Sequence, residues 1–324
     1  MNYIVKRAVL QNEKDRIKKF LNSNSLQYDD IDYSWYIEDI NDNIIATVSV
    51  SSYIIKCFLI KEEYRGEQLT NLLISNVYSF LNNCNYFQIY TKRENKKLFE
   101  SLGFKEVAST NYVTLLESKT QLISEYLKKL KKDYNITSKN NAAIIMNANP
   151  FTNGHLHLIK EALKENNKVL VFVLEEEKSK YSFYDRIRLV REATKTITNV
   201  IILPSTKYII SSSTFPTYFL KDDVNKVDVE GELDATIFKN YFMPIFDIKR
   251  RYVGEEIDPV TARYNIVLKN VLKDNLKVIK RLTTDSKIIS ASVVRSLAEN
   301  LTNNCEEIKE LVPETTFKFL KENK

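Results

Sequence analysis

Two short stretches of this 324-residue chain carry residue types that handle anions. The first is Asn149-Pro150-Phe151-Thr152-Asn153-Gly154-His155. A threonine can cap a helix or lend its hydroxyl, a glycine lets backbone approach a bulky anion, and free amides at a helix start favour phosphate. His155 would open that helix with its ring toward the ligand. His157 lies two residues on, about 200° around a helix, and is read as structural. The second stretch is Ile289-Ser290-Ala291-Ser292-Val293-Val294-Arg295. Two hydroxyls, helix-end amides and a guanidinium would form a second anion cradle. Taken alone, either stretch is also ordinary capping with a surface side chain. What favours ligand chemistry is their placement.

The first stretch follows an apolar run at 142–146 that reads as a buried strand and leads into a helix at 154–166. Alternation continues with a strand at 168–174, a helix at 184–196 and a strand at 200–203. Later come a strand at 249–253, a helix at 261–272, a strand at 277–282 and two closing helices. Strand–helix alternation with continuous apolar strands predicts a parallel sheet covered on both faces. Ligands bind such sheets beyond the carboxyl ends of the strands, where the Thr152–His155 turn falls. Gly254 and Glu255 follow a predicted strand and would face the same ligand, with surface helix pairing as the alternative. Arg186 is expected in an exposed ion pair with a nearby acid.

The first third has a different rhythm. A helix at 13–21 precedes strands at 35–40 and 44–50, joined by an Asn-Asp-Asn turn at 41–43. A strand at 54–60, a helix at 67–81, a strand at 87–91, a helix at 94–102 stopped by Gly103 and a strand at 112–116 follow. A lysine-rich amphipathic helix at 119–135 and a polar stretch at 138–141 mark the boundary. The division is therefore 1–118, a linking helix within 119–141, and 142–324.

Composition narrows the class. Apolar residues make up 44 % of the chain, enough for a core in each half. No apolar run approaches the roughly 18 residues of a membrane helix, and charged residues interrupt the N-terminal region, so a cytoplasmic protein is expected. Three separated cysteines, Cys57, Cys84 and Cys305, have neither metal-ligand nor redox spacing. The net charge of +6 is spread among acidic neighbours without a basic block, which argues against a nucleic-acid groove. Only five glycines are present, where average usage would give about twenty-three. Each is expected to mark a backbone position that few other residues fit.

The two anion motifs resemble those of the nucleotidyltransferase superfamily, with its (His/Thr)-x-Gly-His signature and distal Ile-Ser-x-Ser-x-x-Arg motif. The chain resembles the citrate lyase ligase family more closely still. The matching blocks are 146–155, 211–221 with Phe215-Pro216-Thr217-Tyr218, 233–238, Arg251-Tyr252-Val253-Gly254-Glu255-Glu256, and 289–295. They lie in order across 142–324, and the Phe-Pro-Thr-Tyr and Val-Gly-Glu-Glu blocks are the more specific. The resemblance implies ATP and Mg²⁺ as cofactors, acetate as the acid, and the acyl-carrier subunit of citrate lyase, with its CoA-like thiol group, as partner. That thiol would be acetylated through acetyl-AMP, releasing pyrophosphate and AMP. It assigns Thr152 and His155 to catalysis at the α-phosphate. Asn149, Phe151, Gly154, Gly254, Glu255, Ser290, Ser292 and Arg295 fall to nucleotide binding, and no protein metal ligand is named. An adenylyltransferase making a dinucleotide-type product such as dephospho-CoA, and a non-catalytic nucleotide sensor, stay as alternatives.

Residues 54–74 and 88–104 resemble the GNAT acyltransferase fold. The whole is thus expected to be a GNAT-like mixed α/β domain followed by a Rossmann-like parallel-sheet domain. Tyr64-Arg65-Gly66-Glu67-Gln68-Leu69 stands where that fold binds the CoA pyrophosphate, so Arg65, Gly66 and Glu67 are candidates for holding a CoA-like arm. Glu63 replaces Gln or Arg in the usual pattern and Gln68 replaces a small residue, which argues against ordinary acetyl-CoA-dependent transfer. A docking site for the arm and a domain that has lost its ligand both fit.

Overall fold

The structure is a computed structural model. It describes residues 3–28, 31–66, 68–84, 86–118, 122–175, 179–211, 215–220, 223–284 and 287–323. The chain divides into two compact units: Met1–Leu122 with Phe215–Val229, and Ile123–Thr214 with Glu230–Lys324.

The first unit is a seven-stranded sheet: β1 (Val5–Arg7), β2 (Tyr33–Glu38), β3 (Ile44–Ser51), β4 (Ile54–Ile60), β5 (Gln88–Thr91), β6 (Lys105–Ser109) and β7 (Thr114–Glu117). Their order is β1-β2-β3-β4-β5-β7-β6. All neighbours are antiparallel except β4 and β5, whose parallel pairing requires a crossover. Helix α2 (Leu69–Phe80) supplies it, and α1 (Gln11–Ser23) and α3 (Lys96–Ser101) complete the unit. The alternating apolar residues of the strands bury Trp35, Ile37, Val48 and Phe87 with Leu73 and Val77 of α2 and Phe99 of α3.

One feature of this sheet makes a cavity. Strands β4 and β5 pair only at Ile54–Gln88 and Ile55–Ile89, although both run on. A register shift in the β3–β4 pairing brackets Cys57, held in the left-handed region at φ 49°. Such a bulge bends its strand, and β4 parts from β5 beyond it.

The second unit opens with α4 (Ile123–Asp133). Its elements are β8 (Asn141–Met146), α5 (Asn153–Leu163), β9 (Val169–Val173), α6 (Phe183–Ala193) and β10 (Val200–Pro204), followed by α7 (Lys226–Ile237), a π-helical stretch at Phe238–Phe242 and α8 (Met243–Ile245). Then come β11 (Ile248–Gly254), α9 (Pro259–Leu272), β12 (Leu276–Ile279), a two-residue hairpin of β13 (Thr283–Thr284) and β14 (Lys287–Ile288), α10 (Ala291–Ala298), α11 (Cys305–Leu311) and α12 (Glu314–Glu322). The main sheet is parallel throughout, in the order β10-β9-β8-β11-β12. Every residue of β9 is buried, as a strand covered on both faces demands. Strand order reverses between β8 and β11, and that switch point opens a crevice at their carboxyl ends.

Two differences from the sequence division stand out. Residues 215–229 group with the first unit, although they lie between motifs of the second. The helix ending at Asp133 groups with the second unit instead of linking the two. No helix among the described residues is long and apolar enough to cross a membrane.

Candidate nucleotide site

The turn after β8 lies at the switch point. Thr152 is the N-cap of α5, with extended backbone, and His155 is the third residue of the helix. The two form a reciprocal cap. The Thr152 hydroxyl accepts the His155 amide at 3.4 Å, and the Thr152 amide donates to His155 Nδ1 at 3.0 Å. The Thr152 hydroxyl also lies 2.9 Å from Nδ1. Because Nδ1 accepts a backbone N–H, the proton of the neutral ring sits on Nε2, which is left as a donor. Burial, and then the positive charge of Arg281, lowers the His155 pKa to about 4. The ring is therefore neutral at pH 7. Phe151, fully buried, stacks on it at 5.6 Å and 15°.

The second motif comes to the same place. Ser290 caps α10, accepting the Val293 amide at 3.2 Å, and its hydroxyl lies 2.9 Å from that of Ser292. The Arg295 guanidinium donates to the Asn149 carbonyl, tying α10 to the turn. Asn149 Oδ1 in turn accepts the Tyr181 amide at 3.2 Å. Gly154 is the second contact. A Cβ added there would stand 3.3 Å from the Ile289 carbonyl oxygen and 3.5 Å from Thr152 Oγ1. The glycine is thus needed for the approach of the α10 entry to the α5 entry.

Gly254 ends β11, and its carbonyl accepts Asn265 Nδ2 at 3.0 Å. The Glu255 amide donates to the Ile279 carbonyl at 2.8 Å while its side chain is exposed. Neither belongs to a helix. His157 lies 3.9 Å from Glu161 on the next turn, in keeping with a structural role. Arg186 overturns the expectation that it is exposed: it is fully buried. Its Nη1 donates to the Asn147 carbonyl and Oδ1 at 2.6 and 2.8 Å, and its Nε to the Tyr181 carbonyl at 3.1 Å. It braces the turn.

Sequence reasoning missed Arg281. It follows β12 by two residues, donates through Nε to the Glu255 carbonyl at 2.6 Å and pairs with Glu256. Its charge reaches His155. The available signal was its position just past the carboxyl end of a parallel strand. Burial pushes the Glu256 carboxyl upward, with the Arg281 pairing opposing it.

Two family blocks have a structural role that the motifs did not disclose. Asp234 of α7 and Arg251 of β11 form a buried ion pair at 2.7 Å. Tyr264 donates to the same carboxylate oxygen at 2.7 Å, and the Ile210 amide donates to the other at 3.1 Å.

In the first unit, Gly66 takes φ +93° with open space above its Cα, and exposed Arg65 lies 3.7 Å from Glu62. Both line a cavity of about 540 Å³ in the gap between β4 and β5. Glu67 lies outside the described residues.

The chain thus comprises a parallel α/β unit with two converging helix entries and a mixed seven-stranded α/β unit. The chain belongs to the citrate lyase ligase family, and it is a ligase. The family model of the citrate lyase ligase C-terminal domain matches residues 141–320. The chain is 34 % identical to the [citrate [pro-3S]-lyase] ligase of Haemophilus influenzae, over 96 % of each chain. It is 32 % identical to the protein of that name from Escherichia coli, over 94 % of this chain and 89 % of the other. A phosphopantetheine adenylyltransferase of Clostridium beijerinckii is 29 % identical over 35 % of this chain and 64 % of its own length.

Proposed function

We propose that this ligase uses ATP to acetylate the thiol of the CoA-like prosthetic group on the acyl-carrier subunit of citrate lyase. The observation that carries the reading is the convergence of the α5 and α10 entries through Gly154, Ile289, Arg295 and Asn149, in a chain of this family. A carboxylate has no leaving group a thiol can displace. An acetate oxygen therefore attacks the α-phosphorus of ATP, and the bond to the β-phosphate oxygen breaks to release pyrophosphate. The thiolate then attacks the acyl carbon of acetyl-AMP, AMP leaves, and the thiol proton goes to water.

Such transfer needs positioning and charge stabilisation more than a protein nucleophile. Neutral His155, with its proton on Nε2, donates to the α-phosphate oxygen where charge develops. Thr152 fixes the ring for that task. Ser290, Ser292 and Arg295 hold the outer phosphates. Gly254 and Glu255 border the nucleotide from the end of β11. The described residues contain no cluster of His, Cys, Asp or Glu suited to a metal. Mg²⁺ arrives on the phosphates and keeps much of its water. The β4–β5 cavity, with Arg65 and Gly66 in its lining, receives the thiol arm. Cys57, Cys84 and Cys305 are thiols outside any disulfide, which suits a reducing cytosol.

The test is exchange of labelled pyrophosphate into ATP by the purified protein with Mg²⁺. Exchange that requires acetate is the expected outcome. Exchange with phosphopantetheine in place of acetate would instead favour the adenylyltransferase alternative. Gly154→Ala is expected to raise the KM for ATP about tenfold. Its methyl would force the two cradles apart, and overpacking against backbone costs about 1–3 kcal/mol. Initial exchange rates against ATP concentration measure this, and an unchanged KM would count against the shared cradle.

A further inference from the structure

The cavity between β4 and β5 has a wall that comes from far along the chain. Phe58 and Ile60 of β4 and Ile89, Tyr90 and Thr91 of β5 line its floor, Arg65 and Lys92 supply cations, and Tyr218 and Phe219 line it too. These two rings are 7 % and 6 % exposed and meet edge to face at 5.2 Å. Their segment is anchored twice within the first unit. The Gln27 amide donates to the Tyr218 carbonyl at 3.1 Å, and the Phe215 ring packs edge-on to Tyr90 at 5.7 Å and 89°. The segment follows β10 and precedes α7 in sequence, inside the half of the chain that carries the adenylating motifs.

We propose that Tyr218 and Phe219 are specificity-determining residues for the thiol acceptor. Resting on the proposed function, they form the apolar wall against which the amide-bearing chain of the prosthetic arm packs. Three features select this occupant. The volume is that of a small-ligand cleft. The facing edges of β4 and β5 beyond Ile55 and Ile89 have no strand between them, so an extended chain with amides can pair there as a strand would. Arg65 and Lys92, both among the lining residues, complement a phosphate carried on such a chain. The aromatic wall supplies area without needing a charge partner, which suits the methylene and methyl groups of a pantetheine-type arm.

Dephospho-CoA serves as the probe, with binding to the full chain measured by calorimetry. Phe219→Ala and Tyr218→Ala are expected to weaken binding at least about tenfold, with Phe219→Leu and Tyr218→Phe restoring most of it. Thermal melts of the same proteins separate a lost wall from a lost fold. Wild-type protein that does not bind dephospho-CoA would overturn the inference. So would alanine variants that bind as wild type does. Calorimetry of the arm analogue requires no adenylation. A chain that lacks acetate-dependent exchange but binds the probe through these rings would thus sink the proposed function and leave this inference standing.

Discussion

His155→Ala is expected to lower acetate-dependent pyrophosphate exchange by about 10²–10³-fold, the usual cost of removing one donor from a developing oxyanion. Steady-state exchange at saturating ATP and acetate measures it. The reason lies in the cap: Thr152 donates to Nδ1, so Nε2 carries the only ring proton, and burial keeps the ring neutral. The pH dependence follows. With a pKa near 4, His155 does not change charge between pH 6 and 8. The exchange rate should therefore show no inflection near 6.5 that His155→Ala abolishes. The sign for stability is fixed too. The folded value lies below the ordinary 6.5, so the unfolded chain takes up this proton first. Stability from the neutral ring is complete above about pH 6.5 and is lost as pH falls toward 4. A loss below tenfold in the alanine variant would remove His155 from the transition state.

Asp234→Ala is expected to destabilise the second unit by about 3–5 kcal/mol, because it leaves the buried Arg251 guanidinium uncompensated. Arg251 is 3 % exposed, and its Nε has no hydrogen-bond partner, so Asp234 provides its charge balance. Tyr264 loses its acceptor in the same variant. Burial, then the Asp234 charge, pushes that phenol well above its ordinary value, so it stays a donor throughout the working range. Urea denaturation followed by far-ultraviolet circular dichroism is the measurement, since the one tryptophan, Trp35, reports the first unit. Pairing Asp234→Leu with Arg251→Met should recover most of the loss, as apolar replacements of buried pairs often do. A loss under about 1 kcal/mol in Asp234→Ala would show that the pair carries little.

Much of the second unit was legible because period carries the information. Continuous apolar strands such as Val169–Val173 can only be buried on both faces, and Thr152 and Ser290 are capping residues where helices do begin. Strands β1 and β6 were missed because both are short: Val5–Arg7 is largely exposed, and Lys105–Ser109 buries only the adjacent Val107 and Ala108, so neither shows a sustained alternation. Arg186 was misjudged for another reason. Whether an arginine is buried depends on which carbonyls the fold brings to it, here those of Asn147 and Tyr181. Arg281 was invisible because a basic residue past a strand resembles any surface cation. The grouping of Phe215–Val229 with the first unit depends on packing against residues such as Tyr90, far away in sequence. No local pattern encodes that.

The most direct test of acyl-adenylate chemistry uses acetate labelled with ¹⁸O in both carboxylate oxygens, with ATP, Mg²⁺ and the thiol-bearing carrier. If an acetate oxygen attacks the α-phosphorus, it stays on phosphorus when the thiol takes the acyl group. Mass spectrometry should then find one ¹⁸O in each AMP formed and none in pyrophosphate. AMP free of label, or ADP and phosphate as the nucleotide products, would contradict the account.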